Sequence, residues 1–393
     1  MTQVAQAGPP EGGRGAAGGK DTVSGSSRRF PGAPKMPSVS PRADLESLPK
    51  YVPGRTIEGA IKLASNEVPG GALPSVAQAI AEAAAGVNRY PDTGSQVLRE
   101  RLARELDVPV EHVAIGCGSV SLCQQTIQAV CAPGDEVIFG WRSFEAYPIV
   151  TQVANAVSVK VLITEGQELD LDAMLAAITD RTRVVFVCNP NNPTGTAVRR
   201  AELERFMAAV PEHVLVVLDE AYKEFVTDPE VPDGVEYTRS RSNVMVLRTF
   251  SKAYGLAGLR VGYAVAPEPI ADALRQVYVA FSVNMLAQVA ALASLDAADE
   301  LLARCQDIVV ERERVREALL EAGYRVPDTQ ANFVWLPLGD QAVPFAEHAL
   351  DRKLVVRPFA GDGVRVTIGT REENDLFLAA AREFLIRTKA GRP

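Results

Sequence analysis

Histidine and cysteine are scarce in this chain of 393 residues, which has three histidines and five cysteines. The histidines, His112, His213 and His348, lie far apart, and no two cysteines form a CxxC motif. Zinc sites and histidine-dependent triads need such residues in clusters, so neither kind of site is predicted. An odd number of scattered cysteines is typical of a reducing compartment, so we expect a cytoplasmic protein.

Excess positive charge and long apolar runs are also missing. The 41 Lys and Arg residues against 49 Asp and Glu give a formal net charge of -8, which argues against nucleic acid or an anionic membrane as partner. No apolar run approaches the roughly 18 residues that a membrane-spanning helix needs. The N-terminal residues have no apolar stretch like that of a secretory signal. We therefore expect a soluble globular protein.

Composition divides the chain into four segments. Residues 1–43 are rich in Gly, Pro, Ala and Ser and contain no Leu, Ile, Trp or Tyr, so we predict a disordered tail. An N-terminal arm over 44–70 then precedes a large domain over 71–285 and a small C-terminal domain over 286–393. Two lobes agree with the length, which is too great for one ordinary core.

The central part of the chain alternates strand-like and helix-like segments. Six short apolar runs predict strands: DEVIFG, VSVKVLI, RVVFVCNP, HVLVVLDE, NVMVLRTF and RVGYAVA. Because these runs lack polar alternation, we expect strands buried on both faces, in a mostly parallel α/β sheet between helices. After about residue 285, a long amphipathic helix and the runs NFVWLPL, KLVVRPF and GVRVTIG predict a smaller sheet.

Four successive apolar runs of this region each end in a distinctive polar sequence. GCGS follows HVAI, NPNNPTG follows RVVFVC, DEAY follows HVLVVL, and TFSK follows NVMVL. In open α/β sheets, ligands gather outside the carboxyl ends of the strands, so these segments are predicted to meet at one site. Taken singly, each has a simpler interpretation: a tight turn, a plain loop, or an ion pair between Asp219 and Lys252.

Together, the residue types at these ends suit a ligand with an anion, an aldehyde and a basic ring nitrogen. The N–H groups of GCGS, with Thr249, Ser251 and Arg260, suit a phosphate. Desolvation lowers the pKa of a lysine, which makes Lys252 available as a nucleophile, and Asp219 can pair with a protonated pyridine nitrogen. These are the requirements of pyridoxal phosphate, whose ring accepts electrons from a carbanion.

The segments NPNNPTG, LDEAY and TFSKAYGLAGLRVGY, in this order, resemble the motifs of the fold-type I pyridoxal-phosphate-dependent aminotransferases. More narrowly, they resemble the histidinol-phosphate and aromatic aminotransferase branch, from about Tyr51 to the C-terminus. The resemblance implies the fold of that family: a large α/β domain with a mostly parallel central sheet sandwiched by helices, plus a smaller α+β C-terminal domain. It also implies pyridoxal 5'-phosphate as cofactor, amino acid and 2-oxo acid substrates, and a homodimer with a shared active site.

The resemblance further implies roles for residues around the cofactor. Lys252 matches the lysine that forms the Schiff base and moves the substrate proton, and Asp219 matches the aspartate on the pyridine nitrogen. Asn192 and Tyr222 match the pair that hydrogen-bonds the phenolic oxygen of the ring. Phe144 matches the aromatic side chain stacked on the cofactor, with a core phenylalanine as the alternative. The phosphate-binding positions of the family are matched by Gly118, Ser119, Val120, Thr249, Ser251 and Arg260, and by Tyr90, which would reach the phosphate of the neighbouring subunit.

Other matches concern the substrates. Arg365 matches the arginine that binds the substrate's carboxylate, for which a planar guanidinium is well suited. Tyr51, Asn66, Asn192 and Arg357 match further substrate positions. For Tyr51, Asn66 and Arg357, solvated surface groups are the alternative. The resemblance implies a two-stage ping-pong reaction in which the amino group passes first to the cofactor and then to a second oxo acid, with 2-oxoglutarate expected as the acceptor.

The amino donor is the open point. Many histidinol-phosphate enzymes have an acidic pair after the phosphate-loop glycines, whereas this chain reads GCGSVSL, which is more similar to the phenylalanine aminotransferase subgroup. Two arginines, Arg357 and Arg365, would suit a phosphorylated donor, while an amino acid needs only one. We predict an aromatic amino acid (phenylalanine) aminotransferase, with a histidinol-phosphate aminotransferase of histidine biosynthesis as the alternative.

Three other classes agree less well with the sequence. A pyridoxal-phosphate-dependent decarboxylase would share Lys252 and Asp219 and would release carbon dioxide. A non-catalytic sensor domain of a transcription regulator would need a basic DNA-binding helix pair, which residues 1–43 do not provide. A Rossmann dehydrogenase is excluded because GCGSVS lacks the GxGxxG pattern.

Overall fold

The computed structural model describes residues 40–43, 45, 48 and 56–390 of the chain. The fold reported below is that of residues 56–390, which belong to one compact unit. Residues 1–39 of the predicted tail and Tyr51 of the predicted arm lie outside the described residues. The expectations for them, and the domain borders, stay predictions.

Eleven β-strands in the described residues form a seven-stranded and a four-stranded sheet. The strands are β1 (Ile61–Leu63), β2 (Val113–Gly116), β3 (Glu136–Trp141), β4 (Val157–Leu162), β5 (Thr182–Cys188), β6 (Leu215–Asp219), β7 (Val244–Thr249), β8 (Gly262–Val265), β9 (Phe333–Leu336), β10 (Leu354–Phe359) and β11 (Gly363–Thr367).

Twelve α-helices and four short 3-10 helices complete the described part of the chain. The α-helices are α1 (Pro74–Ala83), α2 (Gln96–Leu106), α3 (Gly118–Val130), α4 (Ala146–Val153), α5 (Leu171–Ala176), α6 (Arg200–Ala209), α7 (Gly234–Thr238), α8 (Glu268–Gln276), α9 (Met285–Asp296), α10 (Ala298–Ala322), α11 (Ala342–Asp351) and α12 (Arg371–Ala390). The 3-10 helices are Ala84–Gly86, Val110–His112, Lys223–Phe225 and Gly339–Gln341.

The seven-stranded sheet has the order β2-β8-β7-β6-β5-β3-β4, and β8 runs in the direction opposite to the other six strands. Alternate residues of its central strands enter two separate apolar cores: Val216 and Leu218 of β6 lie in one, and Leu215 and Val217 in the other. A strand with an apolar core on each face needs apolar side chains at every position. The predicted α/β class and the mostly parallel sheet are thereby confirmed.

Strand β4 departs from the prediction of burial on both faces. Among the described strands it pairs only with β3 and forms the edge of the sheet, where Leu162 is 74% exposed. The apolar run VSVKVLI therefore predicted a strand correctly, but the prediction that this strand is buried on both faces was wrong. Apolar composition is compatible with an edge position, because β-branched residues also favour exposed strands.

The four-stranded sheet joins distant parts of the chain in the order β1-β10-β11-β9. Strand β1 lies parallel to β10, with Ile61 opposite Leu354, whereas β10, β11 and β9 are antiparallel. The smaller C-terminal sheet was predicted, but the participation of β1 was not. The predicted long helix corresponds to α10, which has 25 residues.

Strands β5, β6 and β7 end side by side, with Cys188 opposite Asp219 and Asp219 opposite Leu247. The segments NPNNPTG, EAY and SK therefore leave the sheet at one edge, as predicted from the strand ends. Among the described residues, no helix is both long and apolar enough to cross a membrane.

Candidate active site

A cavity of about 580 Å³ lies at the carboxyl ends of β5, β6 and β7. It brings together most of the predicted site residues, from both sheets and the loops between them. Its wall includes Asn66, Ser119, Val120, Phe144, Asn192, Asp219, Tyr222, Thr249, Ser251, Lys252, Arg260, Arg357 and Arg365. Gly118 directly precedes this wall at the first turn of α3.

Lys252 follows β7 and extends its amine toward residues that come just after β1. Its Nζ donates a hydrogen bond of 3.0 Å to the carbonyl oxygen of Ser65. Desolvation, reinforced by the positive charge of Arg365, lowers the pKa of Lys252 to about 7. A substantial fraction of this amine is therefore neutral near neutral pH, as a nucleophile requires.

Asp219 is the last residue of β6 and is 2% exposed. The hydroxyl of Tyr147 donates a hydrogen bond of 2.7 Å to Oδ2, while Oδ1 has no hydrogen-bond partner among the described residues. Desolvation raises the pKa of Asp219 to about 6, and the bond from Tyr147 opposes this rise. A buried carboxylate oxygen without a donor is costly, so Oδ1 is poised to accept a hydrogen bond from a ligand.

The start of α3 and Arg260 form a cradle for an anion. Arg260 Nη1 donates a hydrogen bond of 3.1 Å to Oγ of Ser251, and the backbone amide of Ser251 donates one to Thr249. A Cβ atom at Gly118 would lie 2.4 Å from Nη2 of Arg260, and Gly118 has a φ of +73°. Only glycine therefore allows the guanidinium to approach the helix N-terminus, where backbone N–H groups favour an anion.

Tyr222 and Asn66 form a hydrogen-bonded pair in the wall. Nδ2 of Asn66 donates a bond of 2.8 Å to the hydroxyl of Tyr222, and Oδ1 of Asn66 accepts one of 3.1 Å from Thr367. The Tyr222 ring also packs edge-on against Phe333, with 5.1 Å between the ring centroids. These contacts fix the position of the phenol, while burial raises its pKa well above the usual range, so the hydroxyl stays protonated.

Arg365 and Arg357 lie directly opposite each other on β11 and β10. Arg365 donates one hydrogen bond to the side-chain oxygen of Asn192 and another, of 2.8 Å, to the carbonyl oxygen of Ala64. Arg357 donates a bond of 2.7 Å to Oε2 of Glu145. The predicted substrate end of the cavity therefore contains two arginines, of which Arg357 contacts a carboxylate and Arg365 contacts neutral oxygens.

Tyr90, which is predicted to reach the phosphate of the neighbouring subunit, does not line the cavity of its own chain. Its side chain is 83% exposed, and its ring packs against Phe281 with 4.6 Å between the centroids. Tyr51 lies outside the described residues, so its predicted role stays a prediction. Phe144 lines the cavity and packs edge-on against Tyr147 at 5.5 Å.

Two residues with clear contacts in the site were not singled out from the sequence. Tyr147 lies three positions after Phe144, but Phe144 precedes α4, so no helical pattern in the sequence indicated that the two rings are in contact. Glu145 had no local signal either, because its partner Arg357 is 212 positions away.

The residues present fit pyridoxal phosphate. The unpartnered Oδ1 of Asp219 suits a protonated ring nitrogen, the cradle around Gly118 suits a phosphate, and the amine of Lys252 suits an aldehyde. The three features line one cavity of sufficient volume for such a ligand.

Comparison with known proteins gives consistent matches. The family model for aminotransferase class I and II matches residues 58–380. The chain is 60% identical to an aromatic amino acid aminotransferase from Rhodococcus jostii (strain RHA1), over 89% of this chain and 97% of that protein. It is 58% identical to an aromatic amino acid aminotransferase from Streptomyces coelicolor, over 89% of this chain and 99% of that protein.

Solved structures match over similar lengths. A histidinol-phosphate aminotransferase from Sinorhizobium meliloti, in complex with pyridoxal-5'-phosphate, has a TM-score of 0.79 and 28% identity, and the match covers 93% of this chain and 100% of that one. An aromatic aminotransferase from Pyrococcus horikoshii shares the fold, with a TM-score of 0.75 and 22% identity over 85% and 97% of the two chains. The fold, the cavity chemistry and the family match lead to one conclusion: this chain belongs to the class I and II aminotransferases, a family of pyridoxal-phosphate-dependent enzymes.

Proposed function

We propose that this aminotransferase takes the amino group of aromatic amino acids, with phenylalanine as the type substrate, and transfers it reversibly to 2-oxoglutarate. The main support is that relatives 56–60% identical over 87–90% of this chain carry the name aromatic amino acid aminotransferase. A carboxylate-binding arginine in the cavity agrees with an amino acid donor.

Pyridoxal phosphate, when bound, supplies an aldehyde that captures amines and a ring that accepts the electrons released at the substrate's α-carbon. Arg260, Ser251 and the amides at the start of α3 hold its phosphate in this proposal. Asp219 would keep a negative charge for the ring nitrogen, and Tyr222 and Asn192 would donate hydrogen bonds to the phenolic oxygen. Phe144, which lines the same cavity, would pack against the ring.

Lys252 carries the proton transfers in this proposal. Its neutral amine acts first as a general base and accepts the proton from the substrate's α-carbon. It then acts as a general acid and donates this proton to the carbon on the other side of the amino nitrogen. Arg365 binds the substrate's carboxylate through two hydrogen bonds and so fixes which α-carbon bond faces Lys252. Lys252 and Arg365 line the same cavity, which also explains why the charge of Arg365 acts on the pKa of Lys252.

A paired assay tests the choice of donor. The purified enzyme is given phenylalanine or histidinol phosphate, each with 2-oxoglutarate, and kcat/KM is compared. We expect phenylalanine to be preferred by at least about tenfold, since each 1.4 kcal/mol of preferential transition-state binding gives that factor. Histidinol phosphate is the second candidate because a histidinol-phosphate aminotransferase is among the similar structures, and a preference for it would overturn our assignment.

We also propose a homodimer in which Tyr90 reaches the phosphate site of the second subunit. Tyr90, Phe281 and Val279 are exposed apolar residues, and Val279 is 70% exposed. Exposed apolar side chains that adjoin each other favour a protein–protein contact. Light scattering should give twice the chain mass for the wild type, and Val279→Asp should shift the protein toward the monomer.

A cytoplasmic location is part of the proposal. All five cysteines are free, which agrees with a reducing compartment. Fractionation of the source cells, followed by detection of the enzyme with an antibody, tests this point.

A further inference from the structure

Arg357 and Arg365 place two positive charges at one end of the cavity. They are directly opposite each other on antiparallel strands, so their side chains lie on the same face of the small sheet. Both guanidinium groups also lie near the ring of Phe359, at 5.7 Å and 5.9 Å from its centroid. An anionic group entering this end of the cavity meets both cations.

Glu145 lowers the net positive charge at this end of the cavity. It directly precedes α4, lines the cavity, and pairs with Arg357 through its Oε2 at 2.7 Å. Arg365, by contrast, donates hydrogen bonds to neutral oxygens, those of Asn192 and Ala64. The formal charges of Arg357, Arg365 and Glu145 alone sum to one positive unit, so Glu145 offsets one of the two guanidinium charges.

We propose that Glu145 is a specificity-determining residue that selects donors with a carboxylate over donors with a phosphate at this position. This inference rests on the proposed aromatic amino acid activity and deepens it. A carboxylate carries one negative charge, which one guanidinium binds in a bidentate manner. A phosphate monoester carries about 1.5 to 2 negative charges at neutral pH and would have to compete with Glu145 for Arg357. The displaced carboxylate would then repel the phosphate, which disfavours phosphorylated donors such as histidinol phosphate.

A second ion pair holds the same two segments together without entering the cavity wall. Nε of Arg142 donates to Oδ2 of Asp362 at 2.5 Å, which links the loop before α4 to the turn between β10 and β11. This ion pair does not involve Glu145 or Arg357, so replacing Glu145 leaves it in place. Asp362→Asn removes a carboxylate from the same interface and is the matched control.

Two ligands without an amine separate binding from reaction. 3-Phenylpropionate and 2-phenylethyl phosphate carry the same ring and linker and differ in the anion. Their affinities for the cofactor-loaded enzyme are measured by calorimetry. In Glu145→Gln, we expect the phosphate ester to bind about tenfold more tightly than in the wild type and phenylpropionate to change by less than about threefold, because only the dianion gains from a second available cation.

Two further variants test the direction of the effect. Arg357→Gln leaves Glu145 without its cation and should weaken the phosphate ester more than the carboxylate. The double variant Glu145→Gln with Arg357→Gln should lose the gain of Glu145→Gln, because Glu145 acts through Arg357. Asp362→Asn should keep the wild-type ratio of the two affinities.

The inference is wrong if Glu145→Gln leaves the phosphate-to-carboxylate ratio unchanged, or if the double variant keeps the gain. Thermal unfolding of each variant shows whether its fold is retained, and Arg357→Gln gives an independent answer if Glu145→Gln is unstable. The proposed function is judged separately, by turnover of phenylalanine in the wild type. Its failure would not alter the affinity ratio that tests Glu145.

Discussion

The hydroxyl of Tyr147 donates a 2.7 Å hydrogen bond to Oδ2 of Asp219, and Oδ1 of the same carboxylate has no hydrogen-bond partner among the described residues. One oxygen is thus fixed by the protein, and the other is directed at the ligand. This arrangement holds the carboxylate in one orientation before the cofactor binds, which reduces the cost of ordering it later.

Tyr147→Phe should therefore weaken the binding of the cofactor without abolishing it. The hydrogen bond from Tyr147 lowers the pKa of Asp219. Its loss should raise that pKa and destabilise the charged carboxylate. Hydrogen bonds to charged groups contribute about 1.5–3 kcal/mol, so we expect the affinity for pyridoxal phosphate to fall by about tenfold or more. Equilibrium dialysis of the cofactor measures this change. An unchanged affinity would show that Tyr147 does not support Asp219.

Lys252→Ala should abolish the covalent attachment of the cofactor and remove nearly all turnover. Borohydride reduction followed by peptide mass spectrometry should find pyridoxal phosphate on Lys252 in the wild type and on no residue of the variant. We expect kcat to fall by about 10³-fold, in the range of lost acid–base catalysis. Lys223, which lies outside the cavity wall and pairs with Asp233, provides the control: Lys223→Ala should keep the attachment. Full activity of Lys252→Ala would contradict the proposed mechanism.

Capture of the cofactor should depend on pH. Only the neutral amine attacks an aldehyde, and the pKa of Lys252 is lowered to about 7, so the rate at which the cofactor-free protein binds pyridoxal phosphate covalently should rise between pH 6 and pH 8. Asp219, with a pKa raised to about 6, becomes charged over the lower part of the same interval and adds to the rise. Stopped-flow absorbance at several pH values follows the reaction.

Arg365→Gln should move this pH profile. The positive charge of Arg365 lowers the pKa of Lys252, so its removal should raise that pKa and shift the rise in rate to higher pH. Arg357→Gln should leave the profile in place, because Arg357 is not among the main charges that act on Lys252. A profile that is identical in wild type and Arg365→Gln would rule out this coupling.

Gly118→Ala should damage the phosphate cradle. The added Cβ would lie 2.4 Å from Nη2 of Arg260, and the positive φ of +73° costs an alanine about 1 kcal/mol. Gly134→Ala is the matched control, since Gly134 has a φ of +91° and no atom lies within 4 Å of the position that its new methyl group would take. Both variants should lose thermal stability, but only Gly118→Ala should bind pyridoxal phosphate more weakly. Equal cofactor affinities in the two variants would contradict the cradle.

Much of the fold and of the candidate site was predictable because the information is local. The apolar runs of β5, β6 and β7 indicated buried strands, and the residues Asp219 and Lys252 follow or end such strands. Parallel strands align their carboxyl ends, so these polar groups were expected to lie together.

Other features depend on contacts between distant segments, which no local pattern records. The edge position of β4 follows from the order of the strands in the sheet, not from its own residues. The pairing of Glu145 with Arg357 and the hydrogen bond from Lys252 to Ser65 join residues 212 and 187 positions apart. Most of the groups in the cavity wall were therefore predictable, but their ion-pair and hydrogen-bond partners from distant segments were not.

The parallel pairing of β1 with β10 has a consequence for the order of events during synthesis. The residues after β1 supply the carbonyl oxygens of Ala64 and Ser65 that contact Arg365 and Lys252. Among the described strands, β1 pairs only with β10, which is synthesised almost 300 residues later. The first of the described strands therefore pairs with almost the last of them, and a nascent chain that ends before β10 lacks both this pairing and Arg365 of the cavity wall. We therefore expect the complete binding site for the cofactor to form only after nearly the whole chain has been synthesised.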